Sequence, residues 1–450
     1  MTMHKLFNLK LPILVLAISA SIPSVSSAEA FDFKACVDKV LSQNPEMDVS
    51  SARIQQAESA LNKAKSSRLP QINLSITAAN SDNALSVFGM KLQERSVVNS
   101  DFAPALLNNP DAYTDFNTRV EMLLPVWNGG KIGSYQDQAK AMIQAAKQGD
   151  LAVQQFLTFH VYQAYEAVHA ARAYINVAEQ AKRTADAFVK TTQNLVDEGV
   201  VVRSELLSAK VHQSMAEAAM VEAKGQEQIA LDGLKILMNK EVDAEVDVAG
   251  RMDLELPADS ISALLDMAIA ANPQLEAKRK EVQSAQHAVQ VAKADLYPSF
   301  NVMLRKDWND SSLSLSNGSY TVAGVASWKV TDFGLTRSSI AMVDASRLQK
   351  KAGVKAEENK VRLDIMTHWR KLQVAKKQVQ TDILAVQHAS EAQDLIVKRY
   401  KGGVATMTEV LVSQTQLDKA KAELVTAEYN VNIYKAKLRL ATGTMDISQL

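Results

Sequence analysis

Two copies of one unit lie in tandem along this chain, on fixed offsets. Asn44-Pro45 recurs as Asn272-Pro273, and Pro70 recurs as Pro298, both 228 residues later. Beyond that point the offset is 204: Gly130 matches Gly334, Gly149 matches Gly353, Gly199-Val200 matches Gly403-Val404, Glu205 matches Glu409, and Asn239 matches Gly443. The difference of 24 residues falls between Pro70 and Gly130, so the first copy carries extra length there. Each copy is expected to form the same unit: helix, strand pair, long helix, turn, helix.

Proline placement sets the helical map. All ten prolines lie outside 126–256 and the span from Ser299 to the C-terminus. Proline costs about 3 kcal/mol inside a helix, so these spans, rich in Ala, Lys, Gln and Glu, read as helix. A helix over about 131–198 would be roughly 100 Å long at 1.5 Å per residue, longer than any single globular core needs. Its apolar residues step by four and three through Leu157, Val161, Ala164, Val168, Ala171, Ile175, Ala178, Ala185 and Val189, with Lys182 breaking the row. Val361, Ile365, Leu372, Ala375, Val379, Val386 and Ala389 repeat the seam in the second copy. This is a coiled-coil pattern whose many alanines allow close approach. Gly199 reverses the chain, and helix resumes near Arg203. In the second copy Gly402-Gly403 does the same, and Thr406 with Glu409 reads as a capping box.

Four segments alternate with a period of two instead. They cover about 71–80, 115–125, 299–308 and 319–330. Ile72, Leu74 and Ile76 alternate with Asn73, Ser75 and Thr77; Phe116, Val120 and Met122 alternate with Asn117, Arg119 and Glu121. Tyr320 and Trp328 stand at opposite ends of the last segment. One apolar and one polar face over about ten residues fits a transmembrane β-strand, and also a soluble hairpin packed on one side. Four strands cannot close a barrel, since the smallest have about eight. In lipid, open edges would leave backbone groups unsatisfied, so a membrane reading requires several chains to share one barrel.

The first 28 residues read as a secretory signal: Lys5 and Lys10, an apolar core over 11–22, and the small-residue run Ser26-Ser27-Ala28. That core is too short to span a bilayer. Without it the chain lies close to −2, a balance that gives no sign of nucleic-acid binding. The one cysteine, Cys36, lies past the cleavage site, so it is expected as a buried small hydrophobe and not a lipid anchor. Pro125 stands where a phosphate-binding glycine loop would need glycine; the seven histidines lack metal-ligand spacing, and no nucleophile elbow occurs. No enzyme activity, cofactor or metal is expected.

Taken in order, these motifs resemble the TolC-like outer-membrane efflux protein family over essentially the whole chain after the signal. The resemblance is carried by the two Asn-Pro pairs and by Arg68-Leu69-Pro70-Gln71-Ile72 and Leu296-Tyr297-Pro298-Ser299-Phe300 at the helix-to-strand junctions. Pro125-Val126-Trp127-Asn128-Gly129-Gly130, Val330-Thr331-Asp332-Phe333-Gly334 and Tyr400-Lys401-Gly402-Gly403 add to it. It implies an α+β membrane protein of two tandem repeats, each a helix, a β-hairpin and a long coiled-coil hairpin. Three copies would form a twelve-stranded outer-membrane β-barrel continued by a periplasmic α-helical barrel. Repeat 1 is expected over 29–239, with its hairpin at 131–239 and tip at 199–203. A linker covers 240–259; repeat 2 covers 260–443, with its hairpin at 334–442 and tip at 402–406; a tail covers 444–450. The implied partners are two further copies, a periplasmic adaptor, an inner-membrane transporter of RND or ABC type, and outer-membrane lipid.

Site expectations follow from the same resemblance. Gly199, Val200, Gly402, Gly403 and Val404 would form the adaptor-docking tips. Glu205, Tyr400 and Glu409 would form the periplasmic constriction, with Tyr400 hydrogen-bonded to Glu205 on the neighbouring hairpin. Glu205 and Glu409 also stand where a helix start favours a carboxylate. The tips are not equivalent, since Val196 stands where the second copy has Tyr400, and Glu198 where it has Gly402. The extra length in the first hairpin would lie outside the cell. A periplasmic coiled-coil tether without a pore is the rival reading, and the cargo, small toxic molecules or a secreted polypeptide, stays open.

Overall fold

The computed structural model describes residues 29–448; the expected signal segment lies outside them. In chain order the elements are β1 (Glu29–Phe31), α1 (Phe33–Gln43), α2 (Pro45–Ser66), β2 (Gln71–Ser81) and α3 (Ala84–Gln93). A 3-10 turn (Asn99–Phe102), α4 (Pro104–Asn108), β3 (Tyr113–Trp127), α5 (Lys131–Asp197), α6 (Arg203–Leu237) and β4 (Val246–Val248) follow. The second copy supplies α7 (Ile261–Ala271), α8 (Pro273–Ala294), β5 (Ser299–Asp310), β6 (Gly318–Ser327), α9 (Leu335–Lys401) and α10 (Met407–Thr442). α5 and α9 have the same length, 67 residues, or roughly 100 Å.

The recurring Asn-Pro pair has a double task. Proline tolerates the first helical position because its missing N–H would be unpaired there anyway, and the preceding asparagine caps the helix. Asn44 Oδ1 accepts from the Glu46 N–H at 2.9 Å, and its Nδ2 donates to the Leu237 carbonyl at 2.9 Å. Asn272 Oδ1 accepts from the Leu275 N–H at 3.0 Å, and its Nδ2 donates to the Ala441 carbonyl at 2.9 Å. Each asparagine therefore starts a short helix and rivets it to the far end of its own long hairpin. That end turns at Asn239 in one copy and at Gly443 in the other, both with positive φ.

α5 packs on α6 and α9 on α10; α8 lies against both α5 and α9, and α10 meets α5 between the hairpins. The main core gathers where α1, the middle of α5 and the end of α6 meet, and includes Cys36, Val37, Val161, Tyr162, Tyr165 and Leu234. Phe33 meets Tyr162 and Tyr165 edge-on at 5.7 and 5.8 Å. Burial pushes the Cys36 thiol up to about 12, which leaves it protonated and inert.

The linker after α6 contains β4, which pairs in parallel with β1. Its attachment to the helices is polar. Arg251 donates through Nε and Nη2 to Glu166 Oε2 at 3.0 and 2.9 Å, and Asn432 Nδ2 donates to the same oxygen at 3.0 Å. Glu166 is fully buried. One carboxylate on α5 thus holds both the linker and α10. Tyr165 donates to the Gly250 carbonyl at 2.9 Å, and Arg439 donates to the Glu255 carbonyl at 2.6 Å.

The remaining four strands form an antiparallel sheet in the order β2-β3-β5-β6. The pairings Arg119↔Asp307, Glu121↔Arg305 and Arg305↔Thr321 place one set of side chains on one face. That face is polar: Arg119 and Arg305 pair with Asp307 at 2.7 and 2.9 Å. The opposite face carries Ile72, Leu74, Ile76, Val120, Leu304 and Val322, and much of it is bare; Ile72 is 69 % and Leu74 67 % exposed. Among the described residues, the outer edges of β2 and β6 have no strand partner. The segment expected as strand to 330 ends at Ser327, and Trp328, beyond it, donates through Nε1 to the Leu296 carbonyl at 3.2 Å. The extra length of the first hairpin is helical, in α3 and α4.

Glu166→Ala would leave the Arg251 guanidinium and the Asn432 amide without their shared acceptor. Breaking a fully buried pair on one side costs about 3–5 kcal/mol; the Arg251 side chain is 38 % exposed, so the loss should fall below that range while thermal unfolding still shifts down. Glu281→Ala, which removes only an i,i+3 surface pair with Lys278, should change stability by under about 1 kcal/mol.

Candidate functional site at the hairpin tips

Both tips close with the same backbone device. At the first, the Gly199 N–H donates to Val196 O at 3.0 Å and the Val200 N–H to Leu195 O at 2.8 Å. At the second, the Gly403 N–H donates to Tyr400 O at 2.9 Å and the Val404 N–H to Arg399 O at 3.0 Å. These paired bonds are a Schellman closure, which needs a left-handed residue just past the helix end. Gly199 and Gly403 supply it with φ of 73° and 72°. Gly402 has φ −84° and is only the helix-ending residue. Val200 and Val404, next in line, stand 61 % and 66 % exposed. Each hairpin thus ends in an exposed apolar residue at its apex.

Tyr400 is not at the surface. It is 6 % exposed, in a cluster with Ala209, Met407 and Val410, packed by Phe188, Leu195 and Ile396. This cluster joins the two hairpins just above their tips. The Tyr400 hydroxyl lies 3.4 Å from Thr192 Oγ1 on α5. Within the chain the phenol's partner is Thr192, itself fully buried, where the expectation placed Glu205 of the neighbouring hairpin. Glu205 is near enough for its charge to help burial raise the Tyr400 pKa, but its buried Oε2 has no hydrogen-bond partner. Thr192 carries no periodicity signal, since a β-branched hydroxyl fits a helix seam as well as valine does.

Glu409 does what its position predicts. Its Oε2 accepts from the Thr406 N–H at 2.7 Å, and Thr406 Oγ1 accepts from the Glu409 N–H at 3.3 Å. The Thr406 N–H, with the Thr406 hydroxyl that lies 3.1 Å from the same oxygen, holds its carboxyl below the usual carboxylate range. Val202 makes no side-chain cap at the corresponding place in the first hairpin, which leaves Glu205 without the reciprocal bond that occupies Glu409. Among the described residues no group of His, Cys, Asp and Glu could hold a metal.

The fold is shared with solved channels. CusC, whose structures concern folding and transmembrane channel formation, superposes with TM-score 0.78 at 15 % identity, over 93 % of this chain and 95 % of that one. The outer membrane protein VceC of Vibrio cholerae superposes with TM-score 0.75 at 17 % identity, over 91 % and 96 %. In sequence, the outer membrane efflux protein BepC of Brucella suis is 22 % identical over 344 residues, 75 % of each chain. The alkaline protease secretion protein AprF of Pseudomonas aeruginosa is 25 % identical over 309 residues, 66 % of this chain and 63 % of its own.

The model of the outer membrane efflux protein family matches residues 36–240 and 264–444, one match in each copy, and the chain belongs to that family. It is a non-enzymatic transport protein of the outer membrane, with its helical part in the periplasm.

Tyr400→Phe and Thr192→Val each delete the same bond between the hairpins, worth about 1 kcal/mol. In planar bilayers each should raise the open fraction to a similar extent. The double variant should add little to either, because both changes remove one interaction.

Proposed function

We propose that the chain is a passive exit duct of an envelope efflux or type I secretion machine, assembled as a homotrimer. The observation that carries this reading is the four-stranded sheet with one apolar face and two unpaired edges. In lipid those edges must pair, and three copies joined β2 to β6 would close twelve strands. The helices support the same arrangement. Leu207, Val211 and Met215 on α6 and Met342, Leu363 and Val374 on α9 leave apolar side chains exposed on the two outer helices. Two unlike edges that complement each other generate a ring. The repeats, 29–239 and 260–443, would each contribute one hairpin to a tunnel wall, with the 240–259 linker as a belt around it.

Within this reading Gly199, Val200, Gly402, Gly403 and Val404 meet a periplasmic adaptor, through which the duct reaches an inner-membrane transporter of RND or ABC type. Glu205 and Glu409 would ring the narrow mouth near the tips, and Tyr400, buried between the hairpins, would set its width from within the wall. The carboxylates of three copies would favour cations. Relatives named for efflux and for protease secretion leave both cargo classes within the proposal, and the energy comes from the inner-membrane partner in either case.

Native mass spectrometry in detergent should give three copies, and a folded, stable monomer would overturn the trimer. Gly403→Trp should abolish export with trimer and barrel intact, since a bulky residue is strained at φ 72° and alters the docking apex. Unchanged export in that variant would count against docking through the tips. Glu409→Gln should weaken cation selectivity in planar bilayers.

A further inference from the structure

The extra length of the first strand hairpin folds against the polar face of the sheet. The contacts fall on side chains of one parity. Asn309 Nδ2 donates to Gln93 Oε1 at 3.3 Å, and Tyr113 donates through its hydroxyl to Glu94 Oε2 at 2.5 Å. Lys91 Nζ stands 5.7 Å from the centre of the Tyr113 ring. The register pairs Asn117 with Asn309, and Tyr113 lies two positions of the same parity from Asn117, so both contacted residues share the face of Arg119 and Asp307. Glu94 and Asp115, on that same side, are each 5 % exposed. Arg95 adds a tie to the second hairpin by donating to the Gly318 carbonyl at 3.2 Å.

The insert is also internally braced. Lys91 pairs with Asp101 at 2.7 Å, Asp101 accepts from the Val98 N–H at 2.8 Å, and Phe88 meets Phe102 edge-on at 5.6 Å. It is a small folded body anchored to the ends of β3, β5 and β6. On its free side Leu85, Leu92, Val98 and Phe102 are exposed.

We propose that this insert is a constriction body inside the outer mouth of the pore, setting the size of solute that leaves. The inference rests on the exit-duct reading above. When the sheet closes in lipid, its apolar face must turn outward and its polar face becomes the pore wall. A body bound to the polar face near the strand ends then lies within the lumen, over the wall that carries Arg119, Arg305 and Asp307. Three copies set their inserts around one axis, so the aperture is bounded by the insert and not by the strands alone.

The test compares the full chain with a variant in which residues 84–108 are replaced by a short Gly-Ser turn. In planar bilayers the variant should conduct severalfold more, and larger polyethylene glycols should enter its pore. A second variant, Leu92→Cys, keeps the insert. A bulky membrane-impermeant thiol reagent should reduce its conductance, and the parent should not respond because Cys36 is buried. Parent-like conductance and size limit in the deletion variant would overturn the constriction. So would a labelled Leu92→Cys channel with unchanged conductance, which decides the matter alone if the deletion does not assemble. A parent chain that conducts nothing would instead overturn the exit-duct reading itself.

Discussion

Among the described residues, the backbone groups along the outer edges of β2 and β6 have no strand partner. In water such edges would be hydrated; in hydrocarbon each unsatisfied group costs several kcal/mol. For a protein of the outer membrane this is the dominant constraint. In the proposed barrel it would make the sheet incomplete in one copy, and would require the bare apolar face to meet lipid while the polar face turns to water. A pore-less tether would have no use for an apolar face such as that of Ile72, Leu74 and Ile76.

The duplication answers the geometric side of the problem. Each copy delivers two strands and one helical hairpin, so in the proposed trimer every pair of strands would have its own length of tunnel wall. The Asn44 and Asn272 amides tie each short helix to the end of its hairpin, which fixes the two layers relative to one another. Between the copies, polar ties add to the packing of α8 and α10 on α5: Glu166 with Asn432 in the middle, Thr192 with Tyr400 near the tips. The copies differ where conduction would be decided. Only the first has the insert against the polar sheet face, and only the second has Tyr400 and the reciprocal cap of Glu409.

Much of this was legible in the residues. Proline-free spans and a four-three apolar step locate α5 and α9, because a helix of that length leaves many turns of pattern to read. Strict alternation locates β2, β3, β5 and β6 for the same reason. β1 has three residues and so no period, and its pairing with β4 depends on contacts between segments far apart in the chain. The inward fold of the insert was hidden because it rests on single side chains, Gln93, Glu94 and Arg95, meeting sheet residues whose face depends on register. Spacing shows that Tyr400 and Glu205 flank the tips but not which polar group lies nearest the phenol within the chain. Thr192 is closer and looks like any seam residue.

Closure by like copies is tested most directly by cross-linking its two edges. Single cysteines placed in turn along β2, from Asn73 to Ala79, are combined with one at Val322 in β6, on a chain whose native cysteine is buried. Oxidation in the membrane should give a ladder on denaturing gels that ends at three copies for the facing positions, because a closed ring has no free edge left. Only monomers at every position, or a ladder running beyond three, would contradict the account.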